Sequence, residues 1–356
     1  MNLDKRLPFV DIAKGIGIIC IVAGHIFPIS MGNQWLYAFH VPLFFIISGF
    51  TYSPSGDFGI FLRRKFTRLM IPYYFFSVVS ILVMLVMAQI ISINADTKLI
   101  PNLLGMLYAN SNSIYMEWNR PLWFLPCLFV SLIIVELFEA LLVHMDARRG
   151  SGCRILFIAI SWCVGMLVNT KMDVYLPLHL ESALFLVGFI EFGFLMRMLC
   201  EGGFREKQAV SVALGIKVVT LIALPAIGVA ASNFNGWTDI STHTFGNAPW
   251  ALIISSLSFS LAVLIGSGLL GKCGWLEYLG KHSVSILVMH KFSILFFREL
   301  IPGVSELVAD VADFRGIACG LAITAVSIAL CLLAEKILMW IVPAAVGAKR
   351  KKIVKS

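Results

Sequence analysis

Long apolar runs constrain this chain more than any other feature. Aliphatic and aromatic stretches of about 18–25 residues recur throughout, the length needed to cross a hydrocarbon core of about 30 Å. Only 13% of the 356 residues are charged and 59% are hydrophobic, against about 25% charged in soluble domains. A chain of this length with half that charge cannot cover itself with polar surface. The runs are continuously apolar rather than alternating, which predicts helices and not a β-barrel. The expected fold is therefore all-α: a polytopic membrane helix bundle of about ten transmembrane helices. The expected spans are 9–30, 36–53, 68–93, 121–143, 154–170, 180–199, 209–231, 248–270, 282–300 and 316–343. No repeat or linker divides the chain, so residues 1–356 are read as one membrane domain. It carries a short basic tail at 344–356 and a retained first helix.

The placement of Lys and Arg sets the expected orientation. With the N-terminus inside, the inner segments carry Lys5 and Arg6, Arg63 to Arg68, Arg148, Arg149 and Arg154, Arg205 and Lys207, Lys272 and Lys281, and Lys349 to Lys355. The opposite side holds only Lys98, Arg120, Lys171 and Arg315. This asymmetry predicts that both termini are cytoplasmic; the protein is expected to be multi-pass in the cell (inner or plasma) membrane. The net charge of +8 follows from the same bias and not from nucleic-acid binding, for which no basic-aromatic module is present. Eight scattered cysteines, none in a CxxC pair, argue against a zinc site and a disulfide framework.

The segment Phe9 to Phe50 carries polar groups that lipid rejects: Asp11, Lys14, His25, His40 and Ser48. An ionisable side chain at such depth costs roughly 2.5–3.5 kcal/mol on insertion scales and marks a functional site by default. Lys14 and His25 are eleven residues apart, about three turns plus 20°, so they share a helix face about 16 Å apart along the axis. Asp11 lies three residues before Lys14 and can pair with it. Gly15, Gly17 and Gly24 permit close approach of a helix or a ligand chain. His40 opens the second helix, where Pro42 suits a first helical turn. Histidine is the natural general base near neutral pH. Two histidines without a fixed carboxylate make a weak metal signal, and no metal is expected.

At the other end of this hairpin, Arg63, Arg64, Lys65 and Arg68 offer donors to phosphate. Two long loops face the opposite side. Residues 94–120 end in Tyr115, Glu117, Trp118, Asn119 and Arg120. Residues 232–247 mix Asn, Thr and Ser with Trp237, Asp239 and His243, a composition that suits a sugar. Each feature has a plainer reading that the residues alone leave open. Lys14 can snorkel, His25 can bond a backbone carbonyl, the basic run can be a positive-inside cluster, and the loops can be solvated.

Taken together, KGIGIICIVAGH, FHVPLFFIISGF, the basic stretch before Pro72 and LWFLPCLFV at 122–130 resemble the acyltransferase 3 family of membrane acyltransferases. LHLESALFLVGF and LGKHSVSILVMH fit as well, and the blocks extend from about residue 8 to 291. The wording DIAKGIGI…GH…FHVPLFF is most similar to the fucose 4-O-acetylase-related branch. Here Lys14 stands where the family motif has Arg, and Lys65-x-x-Arg68 where it has RxxR; both keep the charge but lose a forked donor.

The resemblance implies an O-acyltransferase acting on sugars, with the acyl group taken from cytoplasmic acyl-CoA, expected to be acetyl-CoA. The acceptor is a cell-surface or exported polysaccharide, such as an O-antigen or exopolysaccharide, or its lipid-linked precursor. His25 is then the base or acyl carrier, with His40, Lys14 and Asp11 beside it. Arg63, Arg64, Lys65 and Arg68 hold the donor's phosphates. Ser48, Glu117, Trp118, Trp123, Glu181 and His290 line the tunnel or touch the acceptor. Polysaccharide-assembly partners or a homo-oligomer fit the same picture. The rival class is a glycan or lipid-linked sugar transporter or flippase, with the same charges lining a path.

Overall fold

The structure is a computed structural model that describes residues 7–91, 99–110, 116–172, 174–203 and 210–347. Of the residues discussed above, Lys5, Arg6, Lys98, Tyr115, Arg205, Lys207 and the tail from 348 lie outside them. So do the side chains of Glu117, Trp118 and Arg148.

The described residues form helices joined by turns and loops, with a one-residue bridge between Asp239 and Thr244. In chain order they are α1 (Pro8–Ile26), α2 (Met31–Phe50) and α3 (Phe58–Lys65), then a π-helical turn (Phe66–Met70) leading into α4 (Ile71–Ile91). Next come α5 (Leu99–Tyr108), a 3₁₀ turn (Glu117–Trp123), α6 (Phe124–Leu142), α7 (Ala147–Lys171) and α8 (Leu180–Gly203). The remainder is α9 (Val210–Asn235), α10 (Pro249–Leu270), α11 (Gly274–Lys281), α12 (Ser283–Leu300), α13 (Val304–Ala309) and α14 (Phe314–Ile341).

Seven of these segments are long and apolar enough to cross a membrane: those within Pro8–Ile26, Phe58–Gln89, Asn119–Leu142, Arg149–Lys171, Pro177–Cys200, Pro249–Leu270 and Phe314–Ile341. The sequence predicts three more. Of these, α9 is apolar over Val219–Asn235. The other two, α2 and α12, fall short because of what they carry. Asn33, Gln34 and His40 lie on α2, and Lys291, Arg298 and Glu299 on α12. α2 packs against α1, α8 and α10, and α12 against α1 and α14, which covers Asn33, His40 and the first half of α12, whereas Arg298 and Glu299 are exposed at the end of α12.

Two local expectations change. First, α2 begins five residues earlier than position 36, because Ser30 caps it by accepting from the Asn33 N–H at 3.3 Å. Pro42 is thus interior. A proline there frees the carbonyl four residues back, and Ser256 of α10 donates to that Ala38 carbonyl at 2.6 Å. Second, the loop at 94–120 holds α5 and the 3₁₀ turn. At ten residues, α5 spans only about 15 Å.

Glycines set the closest helix contacts. A Cβ at Gly49 of α2 would meet the Ile190 carbonyl of α8, and one at Gly193 of α8 would meet the Ile46 carbonyl of α2. Gly15 likewise admits the backbone of α11 at Leu276, while Gly17 and Gly24 face side chains of α2. The approach expected at these glycines is therefore made by helices of the bundle.

Candidate active site

The α1–α2 hairpin has two ends. At one, Phe9 packs on Phe50 with ring centroids 5.6 Å apart, and the chain continues into α3 and its basic run. At the other, α1 ends at Ile26, before Pro28, and His25 occupies its last turn.

A cavity of about 70 Å³ opens at this second end, lined by His25, Tyr37, His40, Arg120, Trp123, Asp239 and Lys291 with Val41, Pro121, Ile240 and Ser241. His25 is half-buried, and its Nδ1 lies 3.2 Å from the Tyr37 hydroxyl. On α2, His40 is buried and its Nδ1–H donates to its own helix at the Leu36 carbonyl, 2.6 Å away. An Nδ1 that faces a carbonyl must carry the proton, so the neutral ring keeps a lone pair on Nε2. On α12 the same arrangement recurs: His290 Nδ1 lies 2.8 Å from the Leu287 carbonyl. His290 Nε2 is buried and has no partner among the described residues. The His290 ring packs 5.2 Å from that of His25. Three imidazoles thus converge, from α1, α2 and α12.

The remaining wall is built by two short segments. In the 3₁₀ turn, Asn119 leaves helical geometry (φ −138°, ψ 56°) and is fully buried. Its amide donates to the Val288 carbonyl at 3.0 Å and to Ser80 Oγ at 3.1 Å. That pins the turn between α12 and α4 and places Arg120 on the cavity. In the 236–248 loop, the Asp239 and Thr244 backbones exchange hydrogen bonds of 2.7 and 3.0 Å. Asp239 Oδ1 accepts from the Ser241 N–H and hydroxyl at 3.0 and 2.6 Å. Burial pushes the Asp239 carboxyl above the usual carboxylate range, against those two bonds. Trp237 of this loop packs 4.6 Å from Tyr37.

Glu181 stands one layer behind. It is fully buried and accepts from the Leu176 N–H at 2.9 Å. Its Oε1 lies 3.1 Å from His179 Nδ1 and 3.3 Å from His243 Nε2. Leu178, His179 and His243 all have positive φ (61°, 52° and 56°), a conformation that costs a non-glycine residue about 1–2 kcal/mol. Glu181 holds all three in place by bonding both imidazoles and the backbone before them. His179 then packs 5.4 Å from Trp123, which lines the cavity.

Most of the sequence-predicted residues fall into three groups. His25, His40 and Trp123 meet at the cavity, with His290 against His25 and Glu181 behind Trp123. Lys14 (half-buried) and Asp11 (buried) lie three to four turns away on α1. At the hairpin's other end, Arg63, Arg64 and Arg68 are exposed, and Lys65 lies 5.4 Å over the Phe61 ring. Ser48 donates to the Phe44 carbonyl of its own helix at 2.7 Å and is not part of the cavity lining. Glu117 and Trp118 lie on the 3₁₀ turn, with their side chains outside the described residues.

Among the lining residues, Tyr37 and Lys291 were not singled out from the sequence, and Arg120 and Asp239 were named only as members of the two long loops. Lys291 had a signal, an ionisable group inside the apolar run SILVMHKFSILFF. Among the described residues, no group of three or more His, Cys, Asp or Glu side chains is arranged to hold a metal ion.

A family model for the acyltransferase domain of type 3, Acyl_transf_3, matches residues 7–336. The chain belongs to this acyltransferase family. The match covers nearly the whole chain, and the cavity lies within it; this is a membrane-bound acyltransferase. Searches of curated proteins and of solved structures find no match.

Proposed function

We propose that this acyltransferase is an O-acetyltransferase in the inner or plasma membrane. It moves an acetyl group from cytoplasmic acetyl-CoA to a sugar hydroxyl of a surface or exported polysaccharide, or of its lipid-linked precursor. The observation that carries this reading is the convergence of His25 with Tyr37, His40 and Trp123 on one cavity. The motif wording adds the fucose 4-O-acetylase-like branch. The Lys and Arg asymmetry supports ten spans with both termini cytoplasmic, counting α2, α9 and α12 with the seven most apolar segments.

In this reading His25 is the general base. With its Nδ1–H donating to the Tyr37 hydroxyl, its Nε2 lone pair takes the proton of the acceptor hydroxyl. The hydroxyl oxygen attacks the thioester carbonyl, the tetrahedral oxyanion collapses, and the C–S bond breaks. The proton then passes from His25 to the departing thiolate, so the ring is regenerated and free thiol leaves. Tyr37 and Trp123 offer ring faces to a sugar. His290, with Nδ1 committed to a backbone carbonyl, packs its ring against His25, and His40, with Nδ1 likewise committed, shares the cavity. The donor reaches the cavity from the other hairpin end, past Lys14 and Asp11, with its phosphates at Arg63, Arg64, Lys65 and Arg68.

The test is incubation of purified protein with labelled acetyl-CoA and candidate glycans, without an ion or solute gradient. Alkali-labile label on the glycan is expected. Movement of the glycan across a proteoliposome membrane with no ester formed would support a transporter instead.

A further inference from the structure

Base chemistry uses the imidazoles of the cavity and leaves two of its lining residues unexplained, Arg120 and Lys291. Both side chains are half-buried, and both face the same cavity. Neither has an ion-pair partner among the described residues. The one carboxylate on the lining, Asp239, is bonded through Oδ1 to Ser241 of its own turn and feels the Arg120 charge only from beyond ion-pair distance. Burying a cation without a partner is unfavourable, so two of them together are explained by something that arrives.

Their spacing is also built in. Asn119, the residue before Arg120, donates to the Val288 carbonyl, and Val288 lies one turn before Lys291 on α12. A single hydrogen bond therefore ties the backbone carrying one cation to the helix carrying the other. A neutral sugar hydroxyl needs one donor or acceptor, not a fixed pair of positive charges. An anion uses both: the Arg fork matches a carboxylate or phosphate, and Lys adds a point charge. Tyr37 and Trp123, which line the same cavity, supply aromatic faces.

We propose that Arg120 and Lys291 form an anion pocket for the acceptor. The substrate is then a sugar carrying a carboxylate or phosphate close to the hydroxyl that is acylated. This rests on the acyl-transfer reading above and names its substrate class.

The experiment uses full-length protein in nanodiscs with labelled acetyl-CoA and three acceptors: glucuronic acid, glucose 1-phosphate and glucose. Transfer to at least one of the two anions is expected with kcat/KM at least tenfold above glucose, and which anion wins separates carboxylate from phosphate recognition. Arg120→Gln and Lys291→Gln should each erase that preference mainly through the acceptor KM, leaving the KM for acetyl-CoA unchanged. Arg120→Lys and Lys291→Arg should restore part of it. Equal use of glucose, or an equal kcat loss for all three acceptors, overturns the pocket and assigns the cations to the reaction's oxyanion.

Thermal stabilisation by each acceptor is measured alongside. Stabilisation by an anion, lost in both Gln variants, with no transfer to any acceptor keeps the pocket and counts against acyl transfer. No anion effect in either readout overturns the pocket.

Discussion

Two clusters of charge lie inside this helix bundle, and they differ in whether their charges have partners. In the first, Arg154 of α7 is gripped by Glu139 of α6 through both of its terminal nitrogens and lies 3.0 Å from Glu191 of α8. Its guanidinium lies 4.5 Å over the Phe194 ring. Close by, Tyr52 donates to Glu136, which also accepts from the Ser55 N–H at 3.1 Å, and Arg197 donates to the Tyr52 carbonyl at 2.7 Å. The second cluster is the cavity, with Arg120 and Lys291 unpaired among the described residues. His290 beside it keeps a buried Nε2 without a partner. Ionisable residues in apolar helices signal both places equally. The first cluster joins helices α6, α7 and α8, whereas the second presents open valences to a space. Open valences around a hole, rather than charge at depth, separate a candidate site from a structural strut.

The largest expected effect falls on the strut. Arg154→Ala leaves two buried carboxylates facing each other, and breaking a buried pair costs about 3–5 kcal/mol. Loss of monodisperse protein on size-exclusion chromatography is expected. A well-folded Arg154→Ala protein would erase the distinction between the clusters. Glu181→Gln comes next. It removes the charge that holds His179, His243 and the backbone at Leu176, and so loosens the wall behind Trp123. A misplaced wall acts on the rate, here a fall of roughly tenfold in transfer, with a lowered melting temperature in the same sample. An unchanged rate would make Glu181 a strut as well.

Arg68→Ala at the exposed end should raise the KM for acetyl-CoA by a few-fold, with acceptor KM unchanged and the difference vanishing in high salt. An unchanged donor KM at low salt would remove the phosphate cradle. The smallest effect concerns Asp239. Its carboxyl titrates higher in the folded protein than in the unfolded chain. Its contribution to stability is therefore fully present below the ordinary aspartate range and is lost as pH rises through the raised value. Melting of the wild type should fall across that window by more than melting of Asp239→Asn. Parallel curves would contradict that shift.

Much of the architecture was legible because apolar runs of spanning length have few other uses. His25, His40 and Trp123 were legible for the related reason that polar groups and a bulky indole sit in defined places on those runs. Three kinds of residue escaped. The start of α2 did, because Asn33 and Gln34 look like loop residues. Their amides are in fact spent within the bundle, on the Gly24 carbonyl at 3.0 Å and on the Ser232 carbonyl at 2.6 Å. Arg120, Asp239 and Lys291 escaped as a set because their meeting depends on contacts far apart in sequence. The bond from Asn119 to Val288 and the clamp from Glu181 to His243 fold two connecting segments over the end of α1. Neither leaves a local pattern. Tyr37 escaped for a simpler reason: an aromatic on an apolar helix is ordinary, and only its hydroxyl beside His25 makes it more.

The most direct measurement compares the two clusters in one assay. The rate of acetyl transfer from labelled acetyl-CoA is measured per folded molecule for the wild type, for His25→Ala, and for the double variant Glu139→Gln with Arg154→Met, which keeps only Glu191 of that triad. His25→Ala is expected to stay folded in the membrane and to lose roughly 10²–10⁴-fold in rate, the usual worth of a general base. The folded fraction of the double variant is expected to keep its rate within a few-fold of the wild type. A His25→Ala protein as fast as the wild type, or a double variant that folds and is inactive, would contradict placing the chemistry at the cavity.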